Sequence, residues 1–137
     1  MNLKKCPVKV YGDTSFRGDC PKETSEQVTF FGRLRRLYPD TWGRLAIHPR
    51  NEGKRTHQQT IRAKAEGMTT GTSDIVIPGS PSFVCELKRK DHTLCSFGAG
   101  QIEYLETAQS AGCFTCVALG VDAAWGAFEE WVKSQNL

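Results

Sequence analysis

The chain has 137 residues, enough for one hydrophobic core and tight for two. Its composition, 39% hydrophobic and 24% charged, is that of a folded globular protein and excludes a disordered chain. No run approaches the roughly 20 consecutive apolar residues of a membrane-spanning helix. The opening Met1-Asn2-Leu3-Lys4-Lys5-Cys6-Pro7 has no apolar stretch of the secretory kind. A cytoplasmic protein without membrane contact is therefore expected, with its six cysteines mostly reduced. The formal charge is only +3, but Arg33, Arg35, Arg36, Arg44, Arg50, Lys54, Arg55, Arg62 and Lys64 all lie in the first half. Such a distribution permits one positive side and a polyanionic partner.

Residues 1–22 are rich in Lys, Pro, Gly and Asp and read as an irregular arm, with room for a short strand at Val8 to Tyr11. Residues 23–137 read as the folded domain. Its first helix starts near Thr24 or Ser25 and runs to Tyr38, with Val28, Phe30, Phe31, Leu34 and Leu37 at helical spacing. Arg44 to His48 reads as a strand stopped by Pro49. Residues 50–55 (RNEGKR) form a basic loop, and Thr56 to Glu66 is a helix ended by Gly67.

Two strands follow, Asp74 to Pro78 and Phe83 to Lys88. The turn residues Gly79-Ser80-Pro81-Ser82 between them make a hairpin. A helix over 98–111, a strand over 114–119 and an amphipathic helix from Asp122 complete the chain. The order α-β-α-β-β-α-β-α implies one sheet flanked by helices.

Side chains alternate across a strand, so Phe83, Cys85 and Leu87 share a core face while Val84, Glu86 and Lys88 share the other. With residues 78–82 as the loop, Ile77 opposes Phe83 and Asp74 opposes Glu86. Opposed residues have Cβ atoms about 4.5–5.5 Å apart. Two carboxylates at that distance repel unless a cation lies between them. Magnesium or manganese suits such oxygen ligands. Lys88 can reach the same spot, to orient or deprotonate a water or to neutralise a phosphoryl oxygen. An E-x-K triplet is also an ordinary solvent-facing strand pattern; the paired Asp74 sets this one apart.

Asp74, a hairpin, then Glu86-Leu87-Lys88 resembles the PD-(D/E)XK nuclease superfamily. More narrowly, the chain resembles the stand-alone VRR-NUC nucleases, many of them bacteriophage-encoded. Glu26, His48 to Gly53, the basic run Arg62 to Gly67, Gly71-Thr72-Ser73-Asp74, Glu86-Leu87-Lys88 and Gln101 occur in that family's order. Ser73 stands where the family usually has Pro, and the Gly-rich stretch before Gln101 is long for it.

The resemblance implies a restriction-endonuclease-like α/β fold with a mixed central sheet flanked by helices, and Mg2+- or Mn2+-dependent cleavage of DNA. Branched DNA, of the four-way-junction or flap type, is among the substrates it implies. It also implies that Asp74 and Glu86 bind the metal with the Leu87 carbonyl, that Lys88 is the catalytic lysine, that Glu26 supports the metal, and that Gln101 lies beside it. The helical spacing of Glu26 with Phe30 and Leu34 points it inward, while its place in the first turn also suits an acid that favours the helix dipole. Small size and a two-stranded substrate suggest a homodimer, in a host cytoplasm if the source is a phage.

Arg50, Asn51, Lys54, Arg55, Arg62 and Lys64 precede the candidate site and are read as phosphate contacts. Cys113-Phe114-Thr115-Cys116 enters a strand, not a helix N-terminus, which favours structural cysteines over a thiol oxidoreductase. A non-catalytic nucleic-acid- or protein-binding module on the same fold is the alternative. Trp125, Phe128 and Trp131 at helical spacing read as core or subunit contact.

Overall fold

The computed structural model describes residues 1–50 and 53–135. Asn51, expected among the phosphate contacts, lies outside the described residues. Four strands form one mixed sheet: β1 (Lys9–Tyr11), β2 (Ile75–Ile77), β3 (Phe83–Lys88) and β4 (Phe114–Leu119), in the order β1-β4-β3-β2. β4 runs parallel to both β1 and β3, while β2 and β3 form the antiparallel hairpin. The expected register is present: Ile77 opposes Phe83, Val76 opposes Val84 and Ile75 opposes Cys85.

The two sheet faces are covered unequally. Helices α1 (Glu23–Leu37) and α5 (Val121–Ser134) pack on one face. There Phe30, Leu34, Phe128 and Trp131 meet Ile75, Ile77, Phe83, Cys85 and Leu87, all fully buried. Phe30 meets Phe128 edge-on, as the ring quadrupoles favour, with centroids 6.1 Å apart at 89°. Trp131 satisfies its indole N–H with the Pro81 carbonyl at 2.8 Å. Phe128 and Trp131 thus belong to the core, with Trp125 partly buried against it. Helix α4 (Gln101–Ser110) covers the opposite face, where Leu105 meets Val117, Leu119 and Val8. This is the face that carries Glu86 and Lys88.

The expected strand over Arg44 to His48 is different. Trp42–Leu45 forms a single helical turn, α2, and only Ile47 pairs with the sheet, as an isolated bridge to Val76. The cause is Trp42, whose ring packs 4.8 Å from that of Trp131. Gly43 lies so close to α1 that a Cβ there would stand 2.6 Å from the Tyr38 carbonyl oxygen. A strand could not place both residues against α1 and α5.

Residues 1–22 do more than form an arm. They supply β1, an edge of the same sheet, and Val8 fills the core beneath α4. The segment before α1 then crosses the residues that follow β3. Gly18 N–H donates to Asp91 Oδ2 at 3.0 Å, and Arg89 Nη2 donates to the Cys20 carbonyl at 2.8 Å. Among the described residues, no helix is long and apolar enough to cross a membrane.

Helix α3 (His57–Ala65) begins with a reciprocal capping box: Gln59 N–H donates to Thr56 Oγ1 at 3.1 Å and Thr56 N–H to Gln59 Oε1 at 2.9 Å. It buries no residue, so its basic side chains face solvent.

The start of α5 is held by another helix. Its N-cap is Gly120, which has no side chain to offer, and Asp122 pairs instead with Arg33 at 3.7 Å. The buried Glu26 of α1 accepts a hydrogen bond from Val121 N–H through Oε2. A carboxylate there satisfies an orphan donor and faces the positive end of the helix dipole. Glu26→Ala is expected to cost about 1–3 kcal/mol, because a buried N–H loses its charged acceptor. Thermal or urea unfolding of the variant measures that loss.

Candidate active site

The end of β2 and the middle of β3 bring the acidic residues together. Asp74 lies one residue before β2, at the position that opposes Glu86. Its Oδ2 accepts from Leu87 N–H at 2.9 Å, so the side chain extends the ladder where the β2 backbone has turned away. Leu87 lies beyond the last backbone pair of the hairpin. Main-chain N–H and C=O of one antiparallel residue point to the same side, so its carbonyl faces the same edge.

Gln101, the first residue of α4, binds Glu86 to Lys88. Its Nε2 donates to Glu86 Oε1 at 3.1 Å, and its Oε1 accepts from Lys88 Nζ at 3.0 Å and from Gly98 N–H at 2.7 Å. Lys88 Nζ also donates to the Ser96 carbonyl at 2.7 Å and lies 3.9 Å from Glu86 Oε1. An ammonium has three donors, and two are committed. Glu86 and Lys88 are only 1% and 3% exposed. Asp74, Glu86, Lys88 and Gln101 therefore form one cluster.

Two glycines explain how α4 comes so close to the Asp74 turn. Gly71 and Gly100 have φ of 80° and 79°, and a Cβ on Gly71 would stand 2.2 Å from the Gly100 carbonyl carbon. The backbones touch with nothing between them. Two residues separate Gly71 from Asp74, and Gln101 follows Gly100 directly.

Glu86 is buried and faces Asp74, and its carboxyl is pushed up to about 10. Burial is the larger cause and the Asp74 carboxylate the second, with Lys88 pulling the other way. Its Oε2 is buried, and among the described residues only the facing Asp74 carboxyl is there to share its proton. Ser73, at the usual Pro position, is also fully buried, and its hydroxyl finds no partner among the described residues.

A cleft of about 280 Å³ opens over this cluster, bordered by Asp74 and Gln101 on one side and by Glu23, Gln27 and His48 on the other. Glu23 was not anticipated. Helix α1 begins at Glu23, earlier than the expected Thr24 or Ser25, so this acid lies in its first turn. Burial raises its carboxyl; Lys88 opposes that shift and Asp74, which lines the same cleft, adds to it. Glu26, the expected support, is not among the residues bordering the cleft and is engaged with Val121. His48 was also missed: its Nδ1 lies 2.8 Å from the Asp74 carbonyl oxygen. The signal for it was available, since a residue next to the Ile47 bridge must approach β2.

The donor set fits a hard divalent cation. Among the described residues no three His, Cys, Asp or Glu side chains converge as a complete cage. Magnesium does not need one; it is commonly held by one or two carboxylates, with water and substrate oxygens completing the shell. The Glu86 Oε2 and the facing Asp74 would supply those carboxylates, and the Leu87 carbonyl points to the same edge. All six cysteines are free. Cys116 is in the core, whereas Cys113 lies under the end of α4, so the pair does not form a redox dithiol at a helix start.

The basic residues form a separate group. Arg50, Lys54, Arg55, Arg62 and Lys64 are all exposed, on the loop before α3 and on α3 itself, with Arg62 3.8 Å from Glu66.

A solved structure described as a "VRR_NUC domain protein" is similar to this chain, with a TM-score of 0.66 and 16% identity over 84% of this chain and 91% of that one. The chain thus has the restriction-endonuclease-like α/β fold. No protein-family model and no curated protein matches it.

Two outcomes follow. Gly71→Ala is expected to lower both stability and activity, since the added Cβ overlaps backbone that cannot yield; unfolding and activity assays on one preparation check this. The second concerns protons. A carboxyl raised in the folded state keeps a proton that the unfolded chain releases, so stability without metal falls as pH rises from the ordinary carboxyl range toward about 10. Glu86→Gln is expected to flatten that decline and raise the melting temperature at neutral pH. In the wild type, divalent-ion binding should displace the proton, with affinity rising about tenfold per pH unit through neutrality. Calorimetry in buffers of different ionisation enthalpy reads this release directly.

Proposed function

We propose that this protein is a VRR-NUC-type nuclease that hydrolyses phosphodiester bonds in DNA with Mg2+ or Mn2+. The observation that carries the proposal is the buried Glu86 facing the half-buried Asp74, with Lys88 fixed alongside by Gln101 and Ser96. A buried acid that faces a second carboxyl is costly to a fold and is kept where the two hold a cation.

Asp74, Glu86 and the Leu87 carbonyl would hold the metal, with Glu23 at the rim of the same cleft. When bound, such an ion polarises a phosphoryl oxygen and makes a water more acidic. Lys88 presents its remaining N–H to the phosphoryl oxygen or to the attacking water. Its two anchors fix that direction beforehand, so little reorganisation is needed as charge develops. Gln101 bridges Glu86 and Lys88, which also pair at 3.9 Å, and so fixes both side chains. Arg50, Lys54, Arg55, Arg62 and Lys64 would contact flanking phosphates, which position DNA without reading sequence. A homodimer would supply two such sites for two strands.

The test is a panel of duplex, nicked, flapped, single-stranded and four-way DNA with magnesium, manganese or chelator. Cutting is expected with metal only. Asp74→Ala and Lys88→Ala should each lower the rate by about 10²–10³-fold, the scale seen when a preorganised charge is removed, while DNA is still bound. Cutting that survives in both variants ends the proposal. Binding by a wild type that never cuts favours the non-catalytic module instead.

A further inference from the structure

A second hollow, of about 410 Å³, lies beside the cleft between α1 and the segment after α2. Gln27 and His48 border both hollows, so the two adjoin. The second differs in chemistry. Phe31, Val28 and Ile47 give it an apolar floor, and Arg35 and Arg50 flank it. Val28 is 68% exposed and Ile47 54%. The fold uses the backbone of Ile47, whose N–H and C=O both pair with Val76, and leaves its side chain outside. The Arg35 guanidinium lies over the Phe31 ring, 5.3 Å from its centre.

Phosphates and sugars are polar and do not call for such a floor. The faces of a nucleobase are apolar, and the phosphates joined to it are anionic. A continuous duplex hides base faces in the stack; an unpaired nucleotide exposes them to apolar side chains and guanidinium planes. The volume lies in the roughly 300–1,000 Å³ range of small-ligand sites. A second copy of the chain suits the groove less well. A two-fold contact centred here would bring Arg35 and Arg50 toward their own copies, and like charges at an interface core are costly.

We infer that the groove of Val28, Phe31 and Ile47, flanked by Arg35 and Arg50, receives an unpaired nucleotide next to the phosphodiester held in the cleft. The substrate is then DNA with a gap, flap or single-stranded flank at the cut position. The inference rests on the nuclease reading for the identity of the polymer.

The experiment uses the full chain with chelator, so that nothing is cut. The probe is an oligonucleotide carrying 2-aminopurine at an unpaired position beside a duplex, with a fully paired probe as control. Stacking in the groove should change the fluorescence of the unpaired probe saturably and leave the paired one unaltered. Val28→Glu and Ile47→Glu, both at exposed positions that the core does not need, should weaken the response about tenfold. Equal responses from both probes, or variants that respond as the wild type does, overturn the inference. So does a dimer that Val28→Glu converts to monomers, because the groove is then a subunit contact. If the wild type cuts no DNA but still perturbs the unpaired probe, the nuclease reading fails and the groove stands. If it cuts DNA and the variants respond normally, the reverse holds.

Discussion

A buried carboxyl, the Asp74 side chain that faces it and a buried ammonium crowd one spot beside the sheet, and the rest of the structure is arranged around that constraint. Charges in such a place must be paired or neutralised. Gln101 makes the cluster tolerable, because a primary amide can donate to Glu86 and accept from Lys88 at once. No charged residue could do both. The sheet supplies the acids and the lysine, but the amide comes from α4, so the cluster exists only when that helix is seated.

That seating depends on backbone more than on side chains. Gly71 and Gly100 let two loops meet at main-chain distance, and the loop from Ser96 to Gly98 closes over the lysine and the amide. The long Gly-rich approach to α4, unusual at first sight, supplies both the Ser96 carbonyl and the Gly98 N–H. Helices α1 and α5 hold the other face of the same strands. The hydrophobic energy of the fold is therefore concentrated behind the site, where Phe83, Phe128 and Trp131 pack, and the polar cluster is held in front of it.

Much of this geometry was legible in the residues. Alternation over Phe83 to Lys88 assigned each side chain to a face, and the turn after Pro78 set the register, since a slip of one residue would have exposed Phe83 and Leu87. Gln101 was legible only through the ordered resemblance. Two things were not legible, for a shared reason. The short apolar run from Arg44 to His48 suits a strand as well as a turn of helix, and the choice fell to Trp42 packing on Trp131. Glu23 and Glu26 lie three residues apart at the start of one helix, so neither periodicity nor dipole separates them. The N-terminus of α5 selects Glu26 as its cap, and Glu23 is left at the cleft. Both outcomes are set by partners distant in the chain.

The two borders of the sheet have one more consequence. β1 and β2 are the outer strands, and each has only three residues. Ile47 occupies part of the free side of β2, and Lys9 of β1 lies 4.0 Å from Glu130 of α5. Short, partly covered margins give another chain little to zip onto. Such margins disfavour growth of the β-ladder by a passing extended peptide and leave the side chains of helices and loops as the more selective surface.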